Sequence, residues 1–230
     1  MIDFLLGAAY VLIYFVALAA IALTLRTLTK FPDEPFRKLL HFILLNSLPI
    51  FLFGFKEWWH AVLFCVIFAV AVYPIIVLFE RFKSFSKTVT ERKKGEFKSS
   101  LLVVFSMFAF VIAVCWGLLS DRWLALASVY AWGVGDAAAA LIGKKYGKHK
   151  IGGGKKSYEG SFAMLVCSVL FSLLFLICRG GLEWYGYAVT ALCAGGVCTV
   201  VEYYTPGGFD TVTCPVSAMT VMLPLVYFVF

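Results

Sequence analysis

The sequence predicts an all-α, polytopic integral membrane protein with about eight transmembrane helices. Composition is the first observation: 62% of the 230 residues are hydrophobic and 14% are charged, far from the averages of soluble domains. The second is length, because about 20 apolar residues cross the hydrocarbon core of a bilayer as one helix. Apolar stretches near that length lie at 3–25, 39–55, 58–80, 99–119, 123–143, 160–179, 184–204 and 210–230. The second of them is short. We expect the whole chain, 1–230, to form a single membrane-embedded domain.

Basic residues are concentrated in three of the predicted loops. All of the 20 lysines and arginines except Lys56, Arg122 and Arg179 lie in the loops after the first, third and fifth stretches. An excess of lysine and arginine marks cytoplasmic loops. We therefore expect these three loops in the cytoplasm and, with eight spans, both termini outside. Anionic lipids and phosphate-bearing ligands account for the net charge of +7, so no nucleic-acid partner is predicted.

The first stretch opens with Met1-Ile2-Asp3. It lacks the basic residues that begin a secretory signal, so we interpret it as the first span. Pro32 and Pro35 follow it and are expected to break the helix.

Arg37, Lys38 and His41 come next and fall within about one helical turn. Arg37 and His41 are four residues apart, on the same side of a helix. The spacing leaves two interpretations open. These side chains are either anchors at the membrane surface or contacts for a polar ligand.

The loop before the fourth stretch contains Arg92, Gly95 and the pair Ser99-Ser100. A run of charges is usually a solvated connector. However, a turn at Gly95 followed by a helix N-terminus at the serines is also a place where anions bind. Both interpretations stay open.

The segment 133–161 is the most informative part of the chain. It begins in an apolar helix that contains Asp136, roughly 20 Å along the fifth span and about 10 Å short of its end. Ionisable residues inside a membrane are costly and usually functional. The loop that follows, between Gly143 and Lys156, holds six lysines and five glycines.

This combination of residues is suited to binding a polyphosphate. Glycines let backbone N–H groups approach closely, lysines neutralise phosphate charge, and a carboxylate can hold Mg²⁺. The residues do not form a Walker A loop in any placement. Ser157, Glu159 and Ser161 gather at the start of the sixth span. Glu159 there fits a ligand contact or an ordinary helix cap.

Two further acids lie between the last two spans, where the predicted topology puts a cytoplasmic connection. Glu202 closes the seventh span, and Asp210 lies in the turn that leads to Pro215. This connection contains no basic residue. Because cytoplasmic loops are usually basic, its acids are expected to be functional.

Three sequence motifs resemble the CTP-binding signature of the CTP-dependent lipid kinases, namely the dolichol, phytol and CTP-dependent diacylglycerol kinases. They are Gly135-Asp136, Gly143-Lys-Lys-Tyr-Gly147 and Lys155-Lys-Ser-Tyr-Glu-Gly-Ser161. More distantly, they resemble the phosphatidate cytidylyltransferases. Arg37-Lys38-x-x-His41 resembles an N-terminal motif of dolichol and phytol kinases, and the segment before the fourth span is similar to phytol-kinase-like proteins.

The segment after Glu202 resembles one in which a glutamate is followed by an Asp-Asp-Asn turn and a proline. Here the turn reads Phe209-Asp210-Thr211, with Pro215 after it. One acid and the asparagine are therefore missing.

The resemblance implies a single catalytic domain in the membrane, with its active site on the cytoplasmic face and Mg²⁺ as cofactor. It implies transfer of the γ-phosphoryl group of CTP to the hydroxyl of a membrane lipid alcohol: a polyprenol such as dolichol, phytol or diacylglycerol. The implied catalytic residues are Asp136, Glu202 and His41, and the implied metal ligands are Asp136, Glu202 and Asp210. The implied nucleotide contacts are Gly135, Lys144, Lys145, Lys148, Lys150, Lys155, Lys156, Ser157, Glu159 and Ser161. Arg37, Lys38, Arg92 and Gly95 are the implied substrate contacts.

Two alternatives remain at this stage. A cytidylyltransferase would use the same nucleotide to form a CDP-lipid, but the acid-rich signature of those enzymes is not found near the end of the chain. A transporter with intramembrane acids is the second. The glycine- and lysine-rich loop argues against it, since transport sites favour the membrane midplane and broken helices. The acceptor alcohol and the oligomeric state are left open.

Overall fold

The computed structural model describes residues 1–29, 31–79, 95–152, 154, 156–205 and 208–230. Eight helical segments of this described chain are long and apolar enough to cross a membrane. They are Ile2–Leu28, Asp33–Gly54, Trp58–Leu78, Phe97–Leu118, Arg122–Tyr146, Tyr158–Arg179, Trp184–Tyr204 and Asp210–Val229. The prediction of an all-α protein with eight spans is confirmed. The chain divides into two compact units, Met1–Ser120 and Asp121–Phe230. That they act as one catalytic domain stays a prediction.

The first unit is built around phenylalanine side chains. Its helices are α1 (Ile2–Leu28), α2 (Asp33–Leu45), α3 (Leu48–Gly54), α4 (Trp58–Phe79) and α5 (Glu96–Val111), which continues as a π-helix over Ile112–Leu118. Phe51 and Phe105 are buried at the centre, with ring centroids 5.8 Å apart in an edge-to-face arrangement. Such aromatic pairs add packing energy beyond the burial of their apolar area.

The second span differs from its predicted bounds. The chain breaks after α1 as expected, but α2 begins at Asp33, ahead of the predicted start at 39. Pro35 lies in the first turn of α2, where a missing N–H costs nothing, so the helix tolerates it. The span is also interrupted at Asn46 and Ser47, between α2 and α3.

The start of α5 corrects a second prediction. The helix begins at Glu96, after Gly95 in a left-handed conformation with φ 81°. The Ser99 hydroxyl donates to the Gly95 carbonyl at 3.0 Å. Ser99 and Ser100 therefore lie inside the helix and do not form its N-terminus as predicted.

The second unit is a four-helix bundle. Its helices are α6 (Arg122–Tyr146), α7 (Tyr158–Arg179), α8 (Trp184–Tyr204) and α9 (Asp210–Pro224), which continues as a π-helix over Leu225–Val229. Each helix packs on the next, and α9 packs back on α6. Glycines allow the close approaches: a Cβ on Gly195 would lie 2.5 Å from the Val169 side chain. Small residues serve the same purpose between helices in membranes.

One end of this bundle is fastened by Asp121, which is 8% exposed. Its carboxylate accepts from the backbone N–H of Leu124 at 2.9 Å and so caps α6. It also accepts from Arg179 Nε at 2.5 Å and from the Tyr227 hydroxyl at 2.9 Å. A single carboxylate thus ties together the start of α6, the end of α7 and the end of α9.

Candidate functional site

The candidate site lies at the opposite end of the four-helix bundle, where α6 and α8 end and α7 and α9 begin. Helix α6 extends to Tyr146, past the predicted end at 143. Asp136 is therefore about 15 Å from the end of its helix, at 1.5 Å per residue, and not 10 Å as predicted. Its side chain is half-buried.

The chain between α6 and α7 folds into a β-hairpin-like loop, which we call the 149–158 hairpin. The N–H of Tyr158 donates to the His149 carbonyl, and the N–H of Ile151 to the Lys156 carbonyl, both at 3.0 Å. Gly152 at its tip has φ +57°, a conformation that favours glycine. Because these backbone bonds fix the hairpin, its return arm carries Lys156 back to the bundle.

At the base of the hairpin, neighbouring atoms pack so closely on two glycines that a Cβ would not fit. A Cβ on Gly147 would lie 2.2 Å from the Gly143 carbonyl oxygen and 2.5 Å from Ser157 Oγ. A Cβ on Gly160 would lie 3.0 Å from the Ala139 carbonyl oxygen. Ser157 itself is buried and caps α7 by accepting from the Gly160 N–H at 3.2 Å. These positions are therefore glycine because their neighbours leave no space for a side chain, and not because glycine favours a helix.

Glu159 holds the hairpin closed from the first turn of α7. Its Oε1 lies 2.7 Å from His149 Nδ1, and it also accepts from the backbone N–H of His149 at 3.2 Å. The carboxylate thus has a structural partner in the loop. Ser161 follows in the same turn and is half-buried.

Lys156 connects the hairpin to the end of α8. Its ammonium lies 2.8 Å from Glu202 Oε1, and the two side chains are 34% and 13% exposed. The ammonium also donates to the backbone carbonyls of Glu202 and Tyr203. These carbonyls are at the C-terminus of a helix, where partial negative charge attracts cations.

Two further acids, on α6 and α9, lie within electrostatic range of Glu202. The charges of Asp136 and Asp210 act on the Glu202 carboxylate, and Asp136 also acts on Asp210. The indole of Trp132 is buried one helical turn before Asp136. We call Asp136, Glu202 and Asp210 the carboxylate cluster. That these three acids hold a metal or act in catalysis stays a prediction.

The described residues do not form a ready-made metal cage, since no group of three or more His, Cys, Asp and Glu side chains among them is arranged to hold an ion. The donor chemistry nevertheless fits Mg²⁺. This ion binds hard oxygen ligands and usually takes one or two carboxylates together with substrate phosphates. A cation is already attracted to the cluster, because the Lys156 ammonium is bound to Glu202.

The other predicted nucleotide contacts differ in their exposure to solvent. Lys144, Lys145, Lys148 and Lys150 are exposed. The Lys145 ammonium lies 4.9 Å from the centroid of the Tyr146 ring. Gly135 is buried against α7, where a Cβ would lie 2.4 Å from Ser168 Oγ, so packing accounts for this glycine. Lys155 is outside the described residues.

The predicted substrate contacts lie in the first unit. Arg37 pairs with Glu34 at 2.5 Å. Lys38 is buried at 7% exposure, and the His41 ring lies 6.1 Å from that of Phe42. Gly95 begins α5, and Arg92 is outside the described residues. Their roles stay predictions.

Sequence reasoning missed His149, Trp132 and Tyr203. A signal for His149 was present: the glycine run 152–154 predicts a turn, and a turn there brings residue 149 beside 158. Trp132 is one helical turn from Asp136 and shares its face. The Tyr203 hydroxyl lies 3.5 Å from the position of a Cβ on Gly152, which only the folded hairpin reveals.

The fold and the site together define a polytopic helical membrane protein with a lysine-bound carboxylate cluster at one end of its second unit. Among curated proteins, the chain is similar to a phytol kinase of Synechocystis sp., with 31% identity over 96 residues. The match covers 39% of this chain and 38% of that enzyme's length. No protein-family model matches the chain. No solved structure matches it either.

Gly147→Ala tests the packing at the base of the hairpin. The added methyl would collide with a backbone carbonyl at 2.2 Å, so the hairpin has to move. If the site binds the nucleotide that its motifs imply, binding, measured by titration of the purified protein, should weaken by about tenfold or more, or ~1.4 kcal/mol. Gly196→Ala is the control, because a Cβ at Gly196 meets no atom within 4 Å. Equal binding by both variants would contradict the packing role.

Proposed function

We propose that this protein is a CTP-dependent kinase that phosphorylates the hydroxyl of a membrane lipid alcohol, giving a lipid monophosphate and CDP. One structural observation carries the proposal most directly: the hairpin brings Lys156 to the carboxylate cluster at the end of the bundle. The similarity to a phytol kinase supports a kinase that acts on a lipid. The resemblance of the segment 133–161 to the CTP-binding signature supports CTP as the donor.

The reaction requires little covalent chemistry from the protein. The acceptor oxygen attacks the γ-phosphorus of CTP, the bond to the β-γ bridging oxygen breaks, and the acceptor proton passes to a base. Positioning and charge neutralisation provide most of the catalysis in phosphoryl transfer. We assign the base to an acid of the carboxylate cluster. The lysines of the segment 144–156 neutralise the phosphates.

Bound Mg²⁺ would supply neutralisation of the negative charge on the phosphates. Asp136, Glu202 and Asp210 are the residues that would hold it. We place the active site on the cytoplasmic face, since its loop is one of three that contain nearly all the basic residues. His41, Arg37 and Lys38 are assigned to the acceptor headgroup from their motif.

Incubating the purified protein with CTP and a panel of alcohols tests the proposal and names the acceptor. The panel contains dolichol, undecaprenol, phytol and diacylglycerol. The expected result is one alcohol whose mass increases by a single phosphoryl group. Phosphatidate is added as a further candidate acceptor, and its conversion to a product larger by a cytidine monophosphate unit, with release of pyrophosphate, would instead identify a cytidylyltransferase.

A further inference from the structure

The ammonium of Lys156 points into the protein, towards acceptors of its own chain. It is bound to Glu202 Oε1 at 2.8 Å and to two carbonyls at the C-terminus of α8. A lysine that binds phosphate as a ligand has to direct its ammonium towards that ligand. The side chain seen here therefore has to leave its acceptors before it can take part in nucleotide binding.

The ammonium occupies a place where nearby negative charge favours a cation, which we call the cation position. Asp136 and Asp210 place negative charge on Glu202 from α6 and α9. Carboxylates brought together in a partly buried place repel one another unless a cation is present. The ammonium supplies that cation, and Mg²⁺ is the cation that would accompany a nucleotide there.

On the basis of the proposed function, we propose that Lys156 is a phosphate-binding residue that exchanges with the metal. In the nucleotide-free protein its ammonium occupies the cation position of the carboxylate cluster. When Mg²⁺ enters with the nucleotide, Lys156 is displaced from Glu202 and binds the phosphates. The long, flexible stem of lysine permits this movement, since only side-chain rotations are needed.

A purely structural role for the Lys156–Glu202 ion pair leads to a different expectation for metal affinity. If Lys156 only fastens the hairpin to α8, it stays on Glu202 whether metal is present or not. Its removal would then loosen the hairpin and would not create a better metal site. The two roles are separated by measuring metal affinity in the absence of nucleotide.

The first experiment measures Mn²⁺ binding to the purified full-length protein by electron paramagnetic resonance, without nucleotide or lipid. Lys156→Met keeps a similar side-chain length and removes the competing charge, so it should bind Mn²⁺ about tenfold more tightly than the wild type. Lys56→Met is the matched control, because Lys56 pairs with Asp3 at 2.6 Å in the first unit. It should bind Mn²⁺ like the wild type. Unchanged or weaker binding by Lys156→Met would overturn the exchange.

A second experiment uses the wild-type protein, so it does not depend on the folding of a variant. Lysine amines are acylated with and without Mg²⁺, and modification at each site is read by mass spectrometry. Mg²⁺ alone should increase modification of Lys156 several-fold and leave Lys56 unchanged. No increase at Lys156 would overturn the exchange. If the protein phosphorylates a lipid alcohol but shows neither tighter Mn²⁺ binding by Lys156→Met nor Mg²⁺-dependent acylation of Lys156, the exchange is wrong and the proposed function stands. If it shows both effects but does not phosphorylate a lipid, the proposed function is wrong and the exchange stands.

Discussion

Asp136→Asn is expected to lower turnover by roughly 10²-fold or more, at ~1.4 kcal/mol per tenfold. Asn keeps the size of the side chain and removes its charge. Asp136 lies half-buried in α6 and acts electrostatically on both Glu202 and Asp210. If it holds Mg²⁺, its loss removes charge stabilisation that is needed most in the transition state. The measurement is the steady-state rate of lipid phosphorylation in detergent.

If Asp136 holds metal and has no structural role, its replacement changes stability little. The thermal unfolding midpoint of Asp136→Asn should stay near that of the wild type, since the variant loses charge and no volume. Glu183→Gln is the matched control, because Glu183 is an exposed acid of the same unit. It should keep wild-type turnover. Near-normal turnover in Asp136→Asn, or failure of the variant to fold, would assign the acid to structure and leave the metal to Glu202 and Asp210.

Asp121→Ala should cause the largest loss of stability in the second unit. Removing one partner of a buried ion pair costs about 3–5 kcal/mol, because the other charge stays buried without compensation. Arg179 would lose its carboxylate partner, and α6 would lose its cap. Arg179 is partly exposed, so we expect about 3 kcal/mol, or a fall of about 10 °C in the unfolding midpoint.

Asp121→Asn separates the two roles of the carboxylate. Asparagine is also a good helix cap, so this variant should lose the ion pair but keep the cap, and unfold between wild type and Asp121→Ala. Glu183→Ala is the control, since Glu183 stands before α8 and its side chain makes no capping hydrogen bond. Asp121→Ala and Glu183→Ala with the same midpoint would show that the Asp121 contacts do not stabilise the bundle.

The helical fold could be predicted from the sequence because the hydropathy of a segment indicates whether lipid or water surrounds it. The positions of helix ends were less predictable. The sequence predicts that Pro35 breaks a helix, but Pro35 lies in the first turn of α2, where the backbone tolerates it. Gly95 starts α5 through its left-handed backbone, which residue type alone does not reveal.

The candidate site was partly predictable for a similar reason. Asp136, Glu202 and Asp210 stand out because an acid in an apolar segment is costly, and the predicted topology puts all three towards the same side of the membrane. The partner of each charge was not predictable. Lys156 binds Glu202 across 46 positions of sequence and Asp121 binds Arg179 across 58, and only the packing of the helices brings such residues together.

The central claim is that the γ-phosphoryl group of CTP passes to a lipid alcohol. The direct measurement supplies the purified protein, its alcohol acceptor and phosphatidate with CTP labelled at either the α- or the γ-phosphorus, and follows label into the lipid fraction. We expect label from the γ position in a lipid monophosphate, and none from the α position. Label from the α position in the lipid would contradict the kinase assignment and favour the cytidylyltransferase. No label from either position, with all candidate alcohols supplied, would contradict an enzyme of this kind.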